Sequence, residues 1–233
     1  MRVLAIETST AACSVALSCG DRIFEDNRIE PRQHNRLLLS MIQGVLKAAH
    51  LKLADLDLIG FSRGPGSFTG LRIGASVALG LAAPGHTPLV AVSTLEVLSA
   101  TGLVGDREPG SAASVDRSYP GALAVLESRP GEIYLGVYRV QEQALMPERE
   151  DSVMSRQEAQ LPAGYHDWLL VDGMAGGASN LPLASGLESM VCLPKAARLA
   201  ELAILHHARA SKAEVRDLDL FYPRGSSPWK KIR

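Results

Sequence analysis

Short apolar runs and longer amphipathic segments alternate along the chain, and this pattern predicts an α/β protein. The apolar runs are bounded by Gly, Pro and Asp, as strands are, while the longer segments have the 3.6-residue period of a helix. The predicted elements of the first half are strands over 3–6, 13–18 and 22–29, a helix over 33–50, a strand over 56–61, a helix over 70–83, a strand over 89–92 and a helix that begins at Ser93 or Thr94.

The same order begins again after a segment rich in Gly, Ser and Pro over 102–121, which we interpret as a linker. Three strands, a connection and a strand followed by glycines occur in both halves, so the sequence predicts two related subdomains, over 1–100 and 101–233. The predicted elements of the second half are strands over 122–127, 132–140, 148–153 and 168–171 and a helix over 195–211.

Composition and charge exclude several classes of protein. Hydrophobic residues make up 46% and charged residues 21%, which is typical of a globular protein and not of a disordered one. With a net charge of −1, the chain has no large excess of basic residues, which a protein that binds nucleic acid on its own would have. The apolar run from Val3 stops at Glu7, too early for a secretion signal, and the three cysteines have no CxxC spacing. We therefore expect a cytosolic protein with reduced thiols.

A glycine-rich segment over 63–74 separates a predicted strand from a predicted helix. Such a loop presents backbone amides that bind phosphate, or it serves tight turns and close helix packing, and composition leaves both interpretations open. The preceding Gly60-Phe61-Ser62-Arg63-Gly64 matches the GxSxG nucleophile motif, and Asp172 and His206 follow in hydrolase order. Pro65 keeps the chain in a loop where that motif requires a helix, so we do not expect an active serine.

Metal ligands do not converge in the sequence. His34 is followed four residues later by Leu38, and His206–His207 are adjacent, so neither supplies two imidazoles on one helix face. Glu7 and Glu127 close corresponding strands of the two halves, where a kinase-like ATPase would hold carboxylates for a metal. We predict no metal, no cofactor and no catalytic residue.

The two helices of the first half are more apolar than one core contact requires. The first has three apolar stripes, and the second has small residues at four-residue spacing, from Gly70 to Ala82, with Arg72 and Ser76 as its polar positions. The surplus of apolar positions on these helices has two possible causes, which are burial within the fold and contact with another chain. The residues predicted for a partner interface are Leu37, Leu38, Met41, Ile42, Val45, Gly70, Arg72, Gly74 and Ala78.

Several segments resemble the TsaB family, which is also called YeaZ. They are 6–10 with 13–17, the stretch SRGPGSFTGLRIG from Ser62 to Gly74, 92–95 and 129–134. The resemblance implies an actin/Hsp70/sugar-kinase-like fold and a non-catalytic role in adding threonylcarbamoyl to the adenosine beside the anticodon of tRNAs. It implies as partners the catalytic TsaD, the ATPase TsaE, a second copy of the chain when TsaD is absent, and tRNA only through the complex.

Two other functions remain as alternatives. An ATPase of the sugar-kinase type would use the phosphate-loop candidates Glu7, Thr8, Ser9, Gly64 and Gly66, which the TsaB resemblance implies are vestigial, together with Gly176 and Gly177. A hydrolase would depend on Ser62.

Overall fold

The first half of the chain forms a mixed five-stranded sheet. The computed structural model describes residues 1–105, 118–142, 144–160, 164–209 and 220–221. The strand order is β3-β2-β1-β4-β5, with β1, β2 and β3 antiparallel and β4 and β5 parallel to β1. These strands are β1 (Arg2–Glu7), β2 (Ala12–Cys19), β3 (Arg22–Ile29), β4 (Leu58–Gly64) and β5 (Leu89–Ser93).

Helices cover both faces of this sheet. Alternate residues of β1 point to opposite faces, so Leu4 and Ile6 join a core with helices α1 (His34–Ala48) and α2 (Phe68–Ala82). Val3 and Ala5 face the other way and pack in a core with α4 (Ala196–Arg209). Burial of both faces explains why β1 and β2 are nearly continuous apolar runs, whereas the edge strand β3 is largely polar.

The second half repeats the arrangement. Its strand order is β10-β9-β6-β7-β8. Strands β6, β7 and β8 again form an antiparallel meander, and β9 and β10 run parallel to β6. The two-subdomain α/β fold class is therefore confirmed. Its strands are β6 (Gly121–Glu127), β7 (Glu132–Gln141), β8 (Ala144–Ser155), β9 (Leu169–Asp172) and β10 (Ser189–Val191).

The two sheets share one core. Helix α3 (Thr94–Val104) comes from the first half of the chain but contacts β6, β7 and β9, whereas α4 comes from the second half and contacts β1 and β2. Residue 100 lies inside α3, and the division into 1–100 and 101–233 stays a prediction. The predicted linker begins within α3, and its residues 106–117 lie outside the described ranges.

A buried polar contact also joins the sheets. The Ser93 hydroxyl, which caps α3, donates to Asp151 Oδ2 at 2.5 Å, and the Tyr138 hydroxyl donates to Asp151 Oδ1 at 2.7 Å. Burial raises the pKa of Asp151, and the hydroxyl groups of Ser93 and Tyr138 oppose that rise by hydrogen bonding to its charged form. Ser93 and Asp151 thus link the first sheet to an edge strand of the second.

The helices and the cysteines bear on whether the chain could span a membrane or form disulfides. In the described part of the chain, no helix is both long and apolar enough to span a membrane. No disulfide joins Cys13, Cys19 and Cys192, all of which lie within the described ranges.

Candidate functional site

The end of β1 carries a buried carboxyl group. Glu7 Oε1 accepts hydrogen bonds from the backbone N–H of Ser9 at 2.6 Å and from its hydroxyl at 2.5 Å. Glu7 Oε2 and the Ser62 hydroxyl are buried without a hydrogen-bond partner among the described residues. Burial raises the pKa of Glu7 to about 7, although the hydrogen bonds from Ser9 lower it. Glu7 is therefore a core group that is substantially protonated near neutral pH.

The glycine-rich loop after β4 packs directly on this strand end. The Ser67 backbone N–H donates to Ser9 O at 2.6 Å, and the Thr8 hydroxyl donates to Gly70 O at 2.9 Å. A Cβ at Gly66 or at Gly70 would lie under 3.0 Å from a backbone oxygen of Ser9 or Thr8, respectively. Only glycine allows two backbone segments to approach this closely. Because the loop and the strand end fill each other's space, no gap for a phosphate group separates them.

The second glycine-rich loop is closed by its own aspartate. Asp172, at the end of β9, is buried, and its carboxylate accepts hydrogen bonds from the backbone N–H of Met174 at 2.9 Å and from that of Ala178. These amides bind a carboxylate in the way they would bind a phosphate. Asp172 thus occupies the amides of Met174 and Ala178, on either side of Gly176 and Gly177.

The predicted elements of a serine hydrolase are not brought together. Ser62 lies within β4, not on a strand-to-helix turn, and is 2% exposed. Asp172 is bonded to its own loop, and His206 Nε2 lies 2.8 Å from Glu96 Oε1. Neither residue hydrogen-bonds Ser62 in the part of the chain that the structure describes. The geometry that nucleophilic catalysis requires is absent from these described residues.

His34, which has no second histidine one helical turn away, makes a structural contact. His34 is buried, and its Nε2 lies 3.1 Å from Ala12 O, so the ring joins the start of α1 to β2. Within the described ranges, no three His, Cys, Asp or Glu side chains are close enough together to hold a metal ion.

The small face of α2 packs against the chain's own first strand. A Cβ at Gly74 would collide with the Thr8 hydroxyl oxygen and would lie 3.5 Å from Ile6 Cγ2, and Ala78 is fully buried. Burial within the fold therefore accounts for the four-residue spacing of Gly70, Gly74 and Ala78. Within the single chain these three residues face β1, and their place in a partner interface stays a prediction.

The inner stripe of α1 is likewise part of the core. Leu38, Met41, Ile42 and Val45 are at most 3% exposed and pack against the first sheet within the single chain. Leu37 is half-buried, and Arg72 is exposed. Most of the residues predicted for a partner interface are thus buried within the single chain, and the interface itself stays a prediction.

An open groove lies between the outer faces of these helices, and we call it the α1–α2 groove. Leu39, on α1, is 52% exposed, and Phe68, at the start of α2, is 61% exposed. The groove has a volume of about 420 Å³ and is predominantly apolar. Its lining residues are Asn35, Leu38, Leu39, Phe68, Thr69, Arg72, Ile73, Ser76 and Val77.

Phe68 is held on the surface by Arg72, one helical turn away. The guanidinium carbon of Arg72 lies 3.3 Å from the centre of the Phe68 ring, and its Nη1 donates to Phe68 O at 3.4 Å. Ser67 caps the helix by accepting a hydrogen bond from the Gly70 N–H at 3.2 Å. The ring is consequently presented to solvent from a well-defined helix start.

Sequence and structure comparisons identify close relatives of this chain. The family described as "TsaD: tRNA N6-adenosine threonylcarbamoyltransferase" matches residues 28–215. The tRNA threonylcarbamoyladenosine biosynthesis protein TsaB of Escherichia coli K12 is 31% identical over 238 residues, which cover 100% of this chain and 98% of that protein. The solved structure of YeaZ from Pseudomonas aeruginosa has a TM-score of 0.77 and 29% identity, covering 95% of this chain and 99% of the other. The chain belongs to the TsaB family.

Part of this TsaB-family chain also resembles the transferase itself. A stretch of 65 residues is 45% identical to the tRNA N6-adenosine threonylcarbamoyltransferase of Polaromonas naphthalenivorans, covering 28% of this chain and 18% of that protein. The predicted resemblance to the TsaB family is confirmed by the matches to TsaB of Escherichia coli and YeaZ of Pseudomonas aeruginosa. Leu39 and Phe68, which dominate the groove, were not among the predicted interface residues, because residue type alone does not show which apolar side chain the fold leaves exposed.

The buried Glu7 of this TsaB-family protein predicts a pH-dependent stability. The folded-state pKa of about 7 lies above the ordinary value of 4.5, so between these values the unfolded chain binds fewer protons and stability falls as pH rises. The shift corresponds to about 3 kcal/mol in the free energy of unfolding. Glu7→Gln keeps the acceptor for Ser9 but does not ionise. We expect this variant to gain about 2–3 kcal/mol over the unmodified chain when both are moved from pH 5 to pH 8.

Urea unfolding at both pH values measures this difference. Glu127→Gln is the matched control, since Glu127 also ends a strand but is exposed. A stability difference between Glu7→Gln and the unmodified chain that does not change with pH would contradict the assignment.

Proposed function

We propose that this chain is a non-catalytic subunit of the tRNA threonylcarbamoyladenosine machinery that binds and activates a TsaD-type transferase. The observation that carries the proposal is the α1–α2 groove, in which Phe68 and Leu39 are more than half exposed on adjacent helices. Large exposed apolar side chains on a soluble-type fold are typical of a protein contact. Membership of the TsaB family supports the role in this pathway.

The kinship between this chain and the transferase family supports the choice of partner. The transferase family matches residues 28–215, which include α1, α2, the strands β4 and β5 of the first sheet and the whole second sheet. Two related folds can therefore pair through equivalent helices about an approximate two-fold axis, as two copies of one chain would. We propose that the homodimer and the heterodimer compete for the α1–α2 groove and that a TsaE-type ATPase joins the heterodimer.

A non-catalytic role agrees with the closed loops. Two amides of the loop after β9 bind Asp172, and the loop after β4 packs on Thr8 and Ser9, so both glycine-rich loops are held by contacts within the chain. The subunit would act by binding the competent conformation of the transferase more tightly than other conformations.

Incorporation of threonylcarbamoyl into tRNA tests the proposal. The transferase and the ATPase of the same organism are supplied with preformed threonylcarbamoyl-adenylate, with and without this chain. We expect incorporation to require the chain and to persist with Glu7→Gln and Ser62→Ala, which alter the alternative catalytic sites. Unchanged incorporation when the chain is omitted would refute an activating role, and loss of activity with Ser62→Ala would favour a hydrolase.

A further inference from the structure

A short piece of the C-terminal region returns to the glycine-rich loop. The Phe221 backbone N–H donates to Arg63 O at 2.8 Å, directly after the buried part of β4. The guanidinium carbon of Arg63 lies 5.4 Å from the centre of the Phe221 ring. Leu220 packs against the apolar core that α1 and α2 share with the first sheet. We call residues 220–221 the C-terminal clasp.

The clasp contacts the loop at a glycine that no other residue could replace. Gly64 has a φ of +108°, and a Cβ there would collide with the Phe221 carbonyl oxygen and lie 3.1 Å from Leu71 Cδ1. That backbone region is accessible to glycine and strained for other residues. Gly64 thus permits both the turn of the loop and the close approach of the clasp.

The loop is consequently held from two sides. Phe221 contacts it at Arg63 and Gly64, while Ser9 contacts it at Gly66 and Ser67. Ser67, whose backbone N–H is hydrogen-bonded to Ser9, directly precedes Phe68, the exposed first residue of α2. A segment fixed at both edges presents the side chains that follow it with little loss of conformational entropy on binding.

We propose that the C-terminal clasp is a positioning element for the partner surface: it fixes the loop over 63–67 and thereby the start of α2, where Phe68 and Arg72 line the α1–α2 groove. This inference rests on the proposed function, since it assigns the groove to the partner. The clasp itself lies on the β4 side of the loop and is not among the groove-lining residues. Phe221 therefore acts through the loop.

Two truncated chains separate the clasp from the residues beyond it. A chain ending at Asp219 lacks the clasp, and a chain ending at Tyr222 keeps it but lacks the basic residues Arg224, Lys230, Lys231 and Arg233. We expect the first to bind the TsaD-type transferase about tenfold more weakly than the full chain, because the loop must then be ordered on binding. The second is expected to bind as the full chain does.

A local readout on the isolated chain keeps the test independent of the partner. Hydrogen exchange at the Ser67 and Gly70 amides should accelerate about tenfold when the clasp is removed, while exchange in the strand β1 stays unchanged. Phe221→Pro in the full chain removes the N–H that bonds Arg63 and should reproduce both effects. Phe221→Tyr keeps the ring and the N–H, so this variant should bind the transferase and exchange its amides as the full chain does.

Three results overturn the inference. If all chains bind the transferase with equal affinity, the clasp has no role in partner binding. If both truncated chains lose the same affinity, the clasp again has no role, and the loss is due to the basic residues beyond it. Unchanged exchange at Ser67 after truncation shows that the clasp does not hold the loop. If the full chain itself fails to bind the transferase, the proposed function fails, whereas accelerated exchange at Ser67 still supports the positioning of the loop.

Discussion

Phe68→Asp is expected to weaken binding of the TsaD-type transferase by about 100-fold, as loss of a central aromatic contact does in other interfaces. Phe68 is 61% exposed, so the substitution removes no core contact. Aspartate in the first turn of α2 also interacts favourably with the helix dipole, so the isolated chain should keep its stability. The loss arises because a carboxylate buried against an apolar partner surface loses its hydration. Isothermal titration with the purified transferase measures the change.

Val191→Asp is the matched control for that experiment. Val191 is 72% exposed on β10, an edge strand of the second sheet, so the same change of chemistry is made on another exposed apolar side chain. We expect it to leave the affinity within about twofold of the unmodified chain, as substitutions outside a contact region do. Equal losses for both variants would show that the effect is one of charge in general. Full affinity with Phe68→Asp would place the partner elsewhere.

Gly70→Ala is expected to destabilise the folded chain by about 3 kcal/mol or more. Gly70 lies in the first turn of α2, and an added Cβ would collide with the carbonyl oxygen of Thr8. The hydrogen bond from the Thr8 hydroxyl to Gly70 O holds the two segments together at 2.9 Å. Since the obstacle is backbone, it cannot move aside as a flexible side chain would. The midpoint and slope of urea unfolding give the free-energy change.

Gly80→Ala in the same helix is the control and is expected to change the free energy of unfolding in the opposite direction. Gly80 is exposed, and no atom lies within 4 Å of a Cβ built there. The substitution should stabilise the chain by about 0.5–1 kcal/mol, because alanine loses less backbone entropy than glycine in a helix. If both variants changed stability by the same amount, the close packing of α2 on Thr8 would be disproved.

The same packing decides which substitutions can test partner binding. Gly74→Arg would be a direct test if the small face of α2 met another chain. Gly74 instead lies against Thr8 and Ile6, so arginine there is expected to disrupt folding before it reports on pairing. Exposed positions such as Phe68 and Leu39 separate the two effects.

Most secondary elements could be predicted because local patterns determine them. The strand predicted over 22–29 and the capping serine at 93 coincide with β3 and the start of α3. Strand β10 was missed: Ser189, Met190 and Val191 are all exposed, so no alternation marks them. The strand predicted over 148–153 is longer in the structure, where it spans Ala144–Ser155. Its ends are hard to predict because this edge strand is mostly exposed and carries charged residues in place of an apolar run.

The interface predictions needed more than a pattern. The three apolar stripes of α1 predict a helix covered on more than one side, but within the chain only the stripe with Leu38 and Val45 is buried, so a second covered side stays a prediction. Periodicity cannot distinguish a stripe that faces the sheet, which includes Leu38 and Val45, from one that leaves Leu39 in solvent. Phe68 was overlooked because it lies in a loop motif, outside any amphipathic period, although it is the single aromatic residue of that motif.

The sequence by itself determined the two related α/β subdomains, the helices of the first half and membership of the TsaB family, because these depend on residue order and spacing. Only the tertiary structure decided between phosphate binding and packing for the glycine-rich loop. The amides of such a loop are equally able to bind an anion or to contact a strand, and the choice depends on what lies opposite. Here Thr8, Ser9 and Phe221 lie opposite. They come from segments far from the loop in sequence, so the fold alone brings them to it.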